Sequence, residues 1–171
     1  IVAGYPGDRA SQLAAELGYR DELMVLGESF HIWVIEGPPA VRDVFPADRA
    51  GLNVLFDNIA PYRERKVRIL NGVQTAMTPV AYLCGLETTR EAVTHPVVGA
   101  WVRRLVEGEI IPIVPASAGD CREYAEEVME RQRNPAIRHR LAAISLNSLS
   151  KWKTRVLPTL EDFLARKGRL P

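Results

Sequence analysis

The chain has 171 residues, of which 47% are hydrophobic and 25% are charged, a composition typical of a globular protein with a real core. Its 22 basic and 21 acidic residues leave a net charge of +1, which excludes a field strong enough to hold nucleic acid or an anionic membrane. No apolar run has the length of a membrane span, and two cysteines without CxxC or Cys/His spacing favour reduced thiols in a cytoplasmic protein.

The first part of the chain predicts a small region that contains strands. Residues 8–17 have the pattern of a short helix, with Asp8 as its cap. The run FHIWVI at 30–35 is rich in aromatic and β-branched residues, and GLNVLF at 51–56 is a second apolar run. We predict a buried strand for each. His31 lies in the first of them, where it could equally be a core histidine or a member of a site.

From Pro61 onward the pattern is helical throughout. The longest helical period is KVRILNGVQTAMTPVAYL at 66–83, which we expect to kink at Pro79 because the proline ring removes a backbone hydrogen bond. Its apolar residues recur at the spacing of one buried helical stripe; they are Leu70, Val73, Met77, Val80, Ala81 and Cys84.

Further helices follow this one. Thr88 and Glu91 form a capping-box pattern, and another helical stripe runs from His95 to Pro112. Helices are also predicted over 121–131 and over 135 to about 152. The pattern Thr159-x-x-Asp162 indicates the cap of a last helix that ends at Gly168.

A polar stripe beside the apolar one is the constellation that could do chemistry. At about 100° per residue, Asn71, Gln74 and Thr78 fall within roughly 60° of one another. Lys66 lies one turn before Leu70, so apolar walls could lower its pKa and let it accept a proton. An amide beside it could hold a substrate oxygen, which suits the oxidation of an alcohol. An ordinary polar flank of a buried helix explains the same spacing.

Other motifs are absent from the sequence. It contains no HExxH, paired-cysteine or carboxylate cluster that would support a metal site. It also contains no GxSxG, P-loop or GxGxxG motif, so these residues hold no dinucleotide-phosphate loop of their own. The remaining histidines, His95 and His139, have the surroundings of structural residues.

Several segments resemble a known family. KVRILNG, followed by Thr75 and TPVAYLCGLET, is similar to the start of the C-terminal domain in the mannitol dehydrogenase family of polyol-specific long-chain dehydrogenases. FHIWVIEG, AGLNVLF, EGEIIP, RNPAIRH and LNSLSKWK-x-R-x-LP resemble further segments of the same proteins in the same order. The resemblance implies a mainly α fold: residues 1–58 are the trailing part of an NAD-binding Rossmann domain, and residues 59–171 are a helical substrate domain, incomplete at its C-terminus. Because the chain starts at Ile1 without an initiator Met and stops at Pro171 just after a helix end, we expect a fragment.

The resemblance also implies roles for residues on the long helix. The family pattern is Lys-x4-Asn-x2-His, in which Lys66 matches the general base and Asn71 matches the residue that orients the reacting oxygen. Where the family usually has His, this chain has Gln74, which can donate a hydrogen bond but cannot relay a proton. The expected enzyme is NAD-dependent, needs no metal and interconverts a sugar acid and its keto form.

A second segment supplies candidate substrate contacts. Ser150 and Lys151 match the family's second substrate-contacting region, and the lysine could meet a sugar-acid carboxylate. Trp33 and Glu36, before the turn that ends the first strand, are weaker candidates. The expected partner is a small sugar acid or polyol, with no nucleic acid or membrane, and the sequence does not indicate an oligomeric state.

Two alternatives remain open. Within the family, the specificity could be that of a mannitol or fructuronate-type dehydrogenase. Outside that activity, Gln74 and the missing phosphate loop would also fit a non-catalytic helical domain. In either case we expect residues 1–171 alone to have no dehydrogenase activity, because hydride transfer needs a cofactor domain.

Overall fold

The computed structural model describes residues 3–28, 30–135 and 137–171, and the chain divides into two compact units, Ile1–Ile59 and Ala60–Pro171. Helices account for most of the described residues, which confirms the prediction of a mainly α chain. None of the helices in the described parts combines the length and the apolar character needed to span a membrane.

The first unit contains two small pairs of strands. One pair is antiparallel and the other, β3 with β4, is parallel, with Trp33 opposite Val54. The elements in chain order are β1 (Ala3–Gly4), a 3-10 turn (Gly7–Arg9), α1 (Ala10–Leu17), β2 (Leu26–Gly27), β3 (Trp33–Ile35), α2 (Ala40–Val44), a 3-10 turn (Ala47–Ala50) and β4 (Val54–Phe56).

Both predicted strands are present, but each is shorter than predicted. His31 and Asn53, which precede β3 and β4, are joined by two hydrogen bonds of 3.0 Å each. The Asn53 main-chain N–H donates to His31 Nε2, and the Asn53 side-chain amide donates to the His31 main-chain carbonyl. His31 therefore has a structural role at the strand ends. The prediction of a buried first strand is wrong at Trp33, which is 56% exposed and has its ring centroid 5.5 Å from that of Phe45.

The predicted helix at 8–17 is confirmed, but its cap is not. The segment starts as a 3-10 turn that contains Asp8, and no side chain caps α1 at Arg9. The helix ends at Gly18, whose φ of 76° lies in the left-handed region that glycine adopts without strain.

The second unit is built around α4. This helix packs against α5, α6, α8 and α9, and α3 and a π-helical turn lead into it without a break. The elements are α3 (Ile59–Arg65), the first π turn (Lys66–Gly72), α4 (Val73–Leu83), α5 (Thr89–Thr94), α6 (Pro96–Leu105), the second π turn (Val106–Ile110), a 3-10 turn (Ile111–Ile113), α7 (Ala118–Arg133), α8 (Leu141–Ser145), α9 (Ser148–Arg155) and α10 (Leu157–Lys167).

The buried stripe of α4 is shorter than predicted. Val73, Met77 and Ala81 are completely buried. Val80 is 38% exposed and Cys84 is exposed too, so the prediction is wrong for both. Residues 82–85 are exposed throughout, which shows that the last turn of α4 extends past the helices that cover its middle.

The first π turn is a feature that the sequence pattern did not predict. A π turn has hydrogen bonds from i to i+5, one residue more than an α turn, and it therefore changes which side chains share a face. Gly72 ends the turn and is buried against α9. A Cβ atom at Gly72 would lie 2.8 Å from the carbonyl oxygen of Arg155, so only glycine allows this approach.

The chain between α7 and α9 differs from the predicted helix over 135–152. The described residues 137–140 are not helical, and Arg140 instead forms an isolated antiparallel bridge with Thr88. Asn147 then adopts φ 57° and separates α8 from α9. The capping box of Thr88 and Glu91 at α5 is confirmed, with both reciprocal hydrogen bonds present.

The predicted cap of the last helix is also wrong. Helix α10 begins at Leu157, with a proline in its first turn, so Thr159 and Asp162 lie inside it. The Asp162 carboxylate instead accepts a hydrogen bond from Arg68 of the first π turn. Arg68 is only 8% exposed, and its Nε also donates to Glu64 at 2.9 Å. One buried guanidinium thus joins α3, the first π turn and α10.

We expect Arg68→Met to destabilise the second unit by about 1–3 kcal/mol, because both carboxylates lose their charged donor while retaining partial access to water. Urea unfolding followed by circular dichroism measures the change. Arg63→Met, an exposed change in α3, serves as the control and should stay within about 0.5 kcal/mol. Equal stabilities for the two variants would show that the ion pairs contribute nothing.

Candidate active site

The first π turn brings the candidate catalytic residues onto one face. In a regular α-helix, Lys66 and Asn71 would be about 500° apart, or roughly 140° beyond a full turn. Because the turn bonds i to i+5, residues five apart lie above one another within it. Gln74 follows Asn71 by three residues, which is again a same-face spacing. The helical segment therefore presents an amine and two amides in a row.

The two amides are available to a ligand. Asn71 and Gln74 are both half-buried, and within the described residues neither side chain has a hydrogen-bond partner. An amide offers two N–H donors and a carbonyl acceptor. Each of these side chains can thus bind a hydroxyl or a carbonyl oxygen without giving up a bond inside the protein.

Thr78, the last member of the predicted polar stripe, is used differently. It is 4% exposed, and its hydroxyl donates to the main-chain carbonyl of Gln74 at 2.7 Å. Thr75 does the same one turn earlier, donating to the carbonyl of Asn71 at 2.7 Å. These two hydroxyls are hydrogen-bonded to carbonyl groups where the segment returns from π to α hydrogen bonding. Hydrogen bonds of this kind, from a threonine to a carbonyl four residues earlier, often accompany a bend in a helix.

The surroundings of Lys66 favour its neutral form. Burial lowers the pKa of its amine, and the nearby guanidinium groups of Arg155 and Arg131 lower that pKa further. The residue as a whole remains exposed, so part of its side chain keeps contact with water. Within the described residues no acid pairs with it. A lysine in such a place can accept a proton and exchange it with solvent.

Lys151 and Ser150 lie on α9, which packs against both the first π turn and α4. The ammonium group of Lys151 donates to the carbonyl oxygen of Ile144 at 2.8 Å, leaving two of its three N–H donors for other partners. Ser150 is exposed, and its carbonyl accepts the hydroxyl of Thr154 at 2.9 Å. Lys151 is one turn before Arg155 on the same face of α9, which places it along the interface that holds the π turn.

Trp33 and Glu36 lie in the first unit. The ring of Trp33 packs beside that of Phe45, and the Glu36 carboxylate accepts the main-chain N–H of Ile59 at 2.9 Å. Glu36 therefore helps to hold the start of α3, a role that its sequence position did not suggest. That either residue contacts a substrate stays a prediction.

An open groove of about 650 Å³ lies where α4 meets α8 and α9. Tyr82, Leu83, Leu149 and Trp152 are exposed at this groove, while Thr75 and Thr78 lie at the side nearer the amides. The sequence did not predict this groove, because α8 and α9, which meet α4 there, were predicted as parts of one continuous helix. The aromatic positions, each three or four residues from another groove residue, were the available signal.

The described residues contain no group of three His, Cys, Asp or Glu side chains that could hold a metal ion. They also do not fit a complete dinucleotide site. Strand β3 leads through Glu36 and Gly37 into the five-residue α2, not into the glycine-rich turn and long helix that a dinucleotide phosphate needs.

Comparison with known proteins identifies the family of this chain. Residues 58–171 match the family model of the mannitol dehydrogenase C-terminal domain. The chain belongs to this family. The resemblance seen in the sequence motifs is therefore confirmed.

Relatives of this chain carry a more specific name. It is 48% identical to the altronate oxidoreductase of Bacillus subtilis (strain 168), over 100% of this chain and 35% of that protein. It is 44% identical to the altronate oxidoreductase of Bacteroides thetaiotaomicron, over 100% of this chain and 36% of that protein. The chain thus spans about a third of the length of the curated relatives that it matches.

Solved structures support the fold. A substrate-free D-sorbitol dehydrogenase superposes with a TM-score of 0.80 at 23% identity, over 97% of this chain and 34% of the other. A ternary complex of Pseudomonas fluorescens mannitol 2-dehydrogenase with NAD and D-mannitol gives a TM-score of 0.72 at 27% identity, over 98% of this chain and 34% of the other.

The effect of the Lys151 charge can be measured through the pKa of His139. Burial lowers the pKa of this histidine, and the charge of Lys151 lowers it further. We expect Lys151→Met to raise the pKa of His139, though not fully to its ordinary value, because the burial remains. An NMR titration of the histidine Cε1–H resonance measures the shift. Lys153→Met, an exposed change on the same helix, is the control, and a pKa of His139 unaltered by Lys151→Met would show that the Lys151 charge does not act on this histidine.

Proposed function

We propose that this chain, as part of a protein of its relatives' length, serves an NAD-dependent oxidoreductase that interconverts altronate and its keto form, tagaturonate. One observation carries the proposal: Lys66 and Asn71 in the first π turn and Gln74 in the first turn of α4 have the spacing of a shared face, and the two amides have no partner within the described residues. The name shared by the relatives supports the choice of substrate. The mannitol 2-dehydrogenase complex supports NAD as the cofactor.

The domain assignment is part of the same proposal. Residues 1–58 would be the trailing part of the cofactor domain and residues 59–171 the helical substrate domain, without a metal. A place in the cytoplasm fits the free thiols of Cys84 and Cys121. NAD, when bound, accepts or supplies the hydride.

Lys66 acts in this proposal as the general base. In the oxidation direction its neutral amine takes the proton of the substrate hydroxyl, and in the reduction direction its ammonium returns that proton. The lowered pKa of Lys66 increases the neutral fraction near neutral pH. Oxidation should therefore become faster as the pH rises through this pKa, while reduction should become slower.

The neighbouring groups hold the substrate. The Asn71 amide donates to the reacting oxygen and keeps it in line with Lys66. Gln74 donates a second hydrogen bond but carries no charge, so all proton transfer falls to Lys66. The two free donors of Lys151 meet the carboxylate of the sugar acid. A carboxylate near the positively charged Lys151 would be favoured electrostatically.

Replacement of the base tests the proposal. In the full-length protein, we expect Lys66→Ala to lower the rate of NADH consumption with tagaturonate by about 10²–10⁴-fold, the usual contribution of general acid–base catalysis. Arg63→Ala is the matched control, since Arg63 is an exposed cation one turn earlier. An unchanged rate in the lysine variant would remove Lys66 from the mechanism.

The same assay separates the alternative activities. Tagaturonate, fructuronate and fructose are offered in turn to the full-length protein, and turnover should be highest with tagaturonate. A preference for fructose would indicate a mannitol dehydrogenase. Absence of NADH binding by the full-length protein would favour a non-catalytic helical domain. Gln74 fits that alternative too, because it replaces the histidine that the family usually has. Residues 1–171 alone should consume no NADH with any of the three.

Gln74 gives an independent prediction. We expect Gln74→Met in the full-length protein to lower kcat/KM by about tenfold, because one hydrogen bond to the substrate is lost. The pH at which activity changes should stay the same, because glutamine does not titrate. Gln74→His restores a donor and should recover most of the activity. A displaced pH profile in Gln74→Met would show that this residue acts through Lys66 instead of through the substrate.

A further inference from the structure

The residue that comes directly before the first π turn lies against two aromatic rings. The guanidinium carbon of Arg65 is 4.8 Å from the ring centroid of Tyr124 and 5.7 Å from that of Tyr62. Both distances are within the roughly 6 Å over which the face of a ring attracts a cation. Tyr62 lies one turn earlier in α3, and Tyr124 lies on α7, which packs against the π turn. Arg65 thus connects α3 to α7 where the helical period changes.

The rings are the partners that hold the Arg65 guanidinium. Within the described residues, no carboxylate of α3, α7 or α10 pairs with Arg65, and its side chain makes no hydrogen bond. Its Nε is buried without an acceptor. Arg68, three residues later, is instead paired with two carboxylates. Because a cation–π contact is stronger where water is excluded, Arg65 depends on the rings more than a paired arginine would.

Tyr124 offers a fixed surface for this contact. The residue is 7% exposed and lies on the buried face of α7, together with Cys121 and Val128. Its hydroxyl is hydrogen-bonded to the side chain of Arg131, two turns later on the same helix. A ring that is packed on its faces and bonded at its tip has little freedom to move. The contact with Arg65 therefore ties the start of the π turn to the core side of α7.

We propose that Arg65 is a positioning residue for Lys66, the next residue in the chain: its contact with the ring of Tyr124 holds the start of the π turn on α7 and so fixes where the amine of Lys66 lies. The consequence for catalysis rests on the proposed function, whereas the ring contact itself does not. A general base must lie within hydrogen-bonding reach of the proton that it takes, and a small displacement of such a group slows the chemical step.

A double-mutant cycle on the stability of this chain tests the contact. Arg65→Met and Tyr124→Leu are made singly and together, and urea unfolding followed by circular dichroism gives the equilibrium constant of each variant. We expect the combined loss to be about two- to thirtyfold smaller than the product of the single losses, because each single change already removes the cation–π contact. Tyr124→Phe keeps the ring and should preserve the full effect of Arg65→Met. Single losses that multiply exactly in the double variant would overturn the proposal.

A second measurement needs no core replacement and serves if Tyr124→Leu does not fold. In the NMR spectrum of the unmodified chain, the ring currents of Tyr62 and Tyr124 should shift the Nε–H resonance of Arg65 upfield of the other arginines. Arg65→Lys assigns the resonance by removing it, and the exposed Arg63 is the internal reference. An Arg65 resonance at the position of Arg63 would contradict the contact.

Kinetics of the full-length protein test the positioning role. We expect Arg65→Met to lower kcat with tagaturonate by about three- to thirtyfold and to leave KM unchanged, because the amine of Lys66 is displaced while the groups that bind the substrate are not. Tyr124→Phe should stay within about twofold of the unmodified protein. Arg63→Met is the matched control, since Arg63 is an exposed cation on α3, and it should leave both constants unchanged. Circular dichroism at the assay temperature confirms that each variant is folded.

The dependence on Lys66 separates positioning from a general structural role. In the Lys66→Ala protein, adding Arg65→Met should cause no further fall in the residual rate, because the group that Arg65 positions is no longer present. A further fall of equal size would overturn the proposal, and so would a rise in KM at unchanged kcat, which would place Arg65 against the substrate. If Lys66→Ala retained full activity, the proposed function would fail while the ring contact measured on this chain would still stand.

Discussion

The change of helical period at residues 66–72 is the constraint on which the rest of the second unit depends. A π turn is less favourable than the α turn it replaces, so it persists only where its surroundings hold it. Three contacts do so here. Gly72 lets α9 approach at van der Waals distance, Ile69 is completely buried, and Arg68 links the turn to α3 and α10 through two carboxylates. The packing that stabilises the turn also maintains the π spacing that puts Lys66 and Asn71 on a shared face.

Electrostatics follow from this packing and not from the overall composition. The chain has a net charge of only +1, yet α7 and α9 each bring an arginine close to the amine of Lys66. Arg68 is paired with Glu64 and Asp162, and within the described residues no acid pairs with Lys66. Such a place disfavours a bound proton and favours a negatively charged ligand, the two properties that oxidation of a sugar acid would need.

Much of this could be predicted from sequence, because helical periodicity and capping chemistry are local. The capping box at Thr88, the stripe of Val73, Met77 and Ala81 and the mainly α class all follow from spacing. The π turn could not be predicted in this way, since any pattern read at 100° per residue assumes the α period that the turn breaks. Asp162 shows the other kind of failure. It has the spacing of a cap, but a distant arginine competes for its carboxylate, and a contact between residues 68 and 162 leaves no local signal.

The helical segment made of the first π turn and α4 is polar at its first end and apolar at its last end. The π turn and the first turn of α4 carry the amine of Lys66 and the half-buried amides of Asn71 and Gln74, whereas the last turn of α4 exposes Tyr82 and Leu83 beside the groove. Between them, Thr75 and Thr78 turn their hydroxyls back onto main-chain carbonyls, so the change from one half to the other leaves those acceptors satisfied. The polar groups at one end and the aromatic surface at the other thus lie on one continuous helical segment. Only the polar end depends on the change of helical period, because residues five apart share a face in the π turn and not in α4.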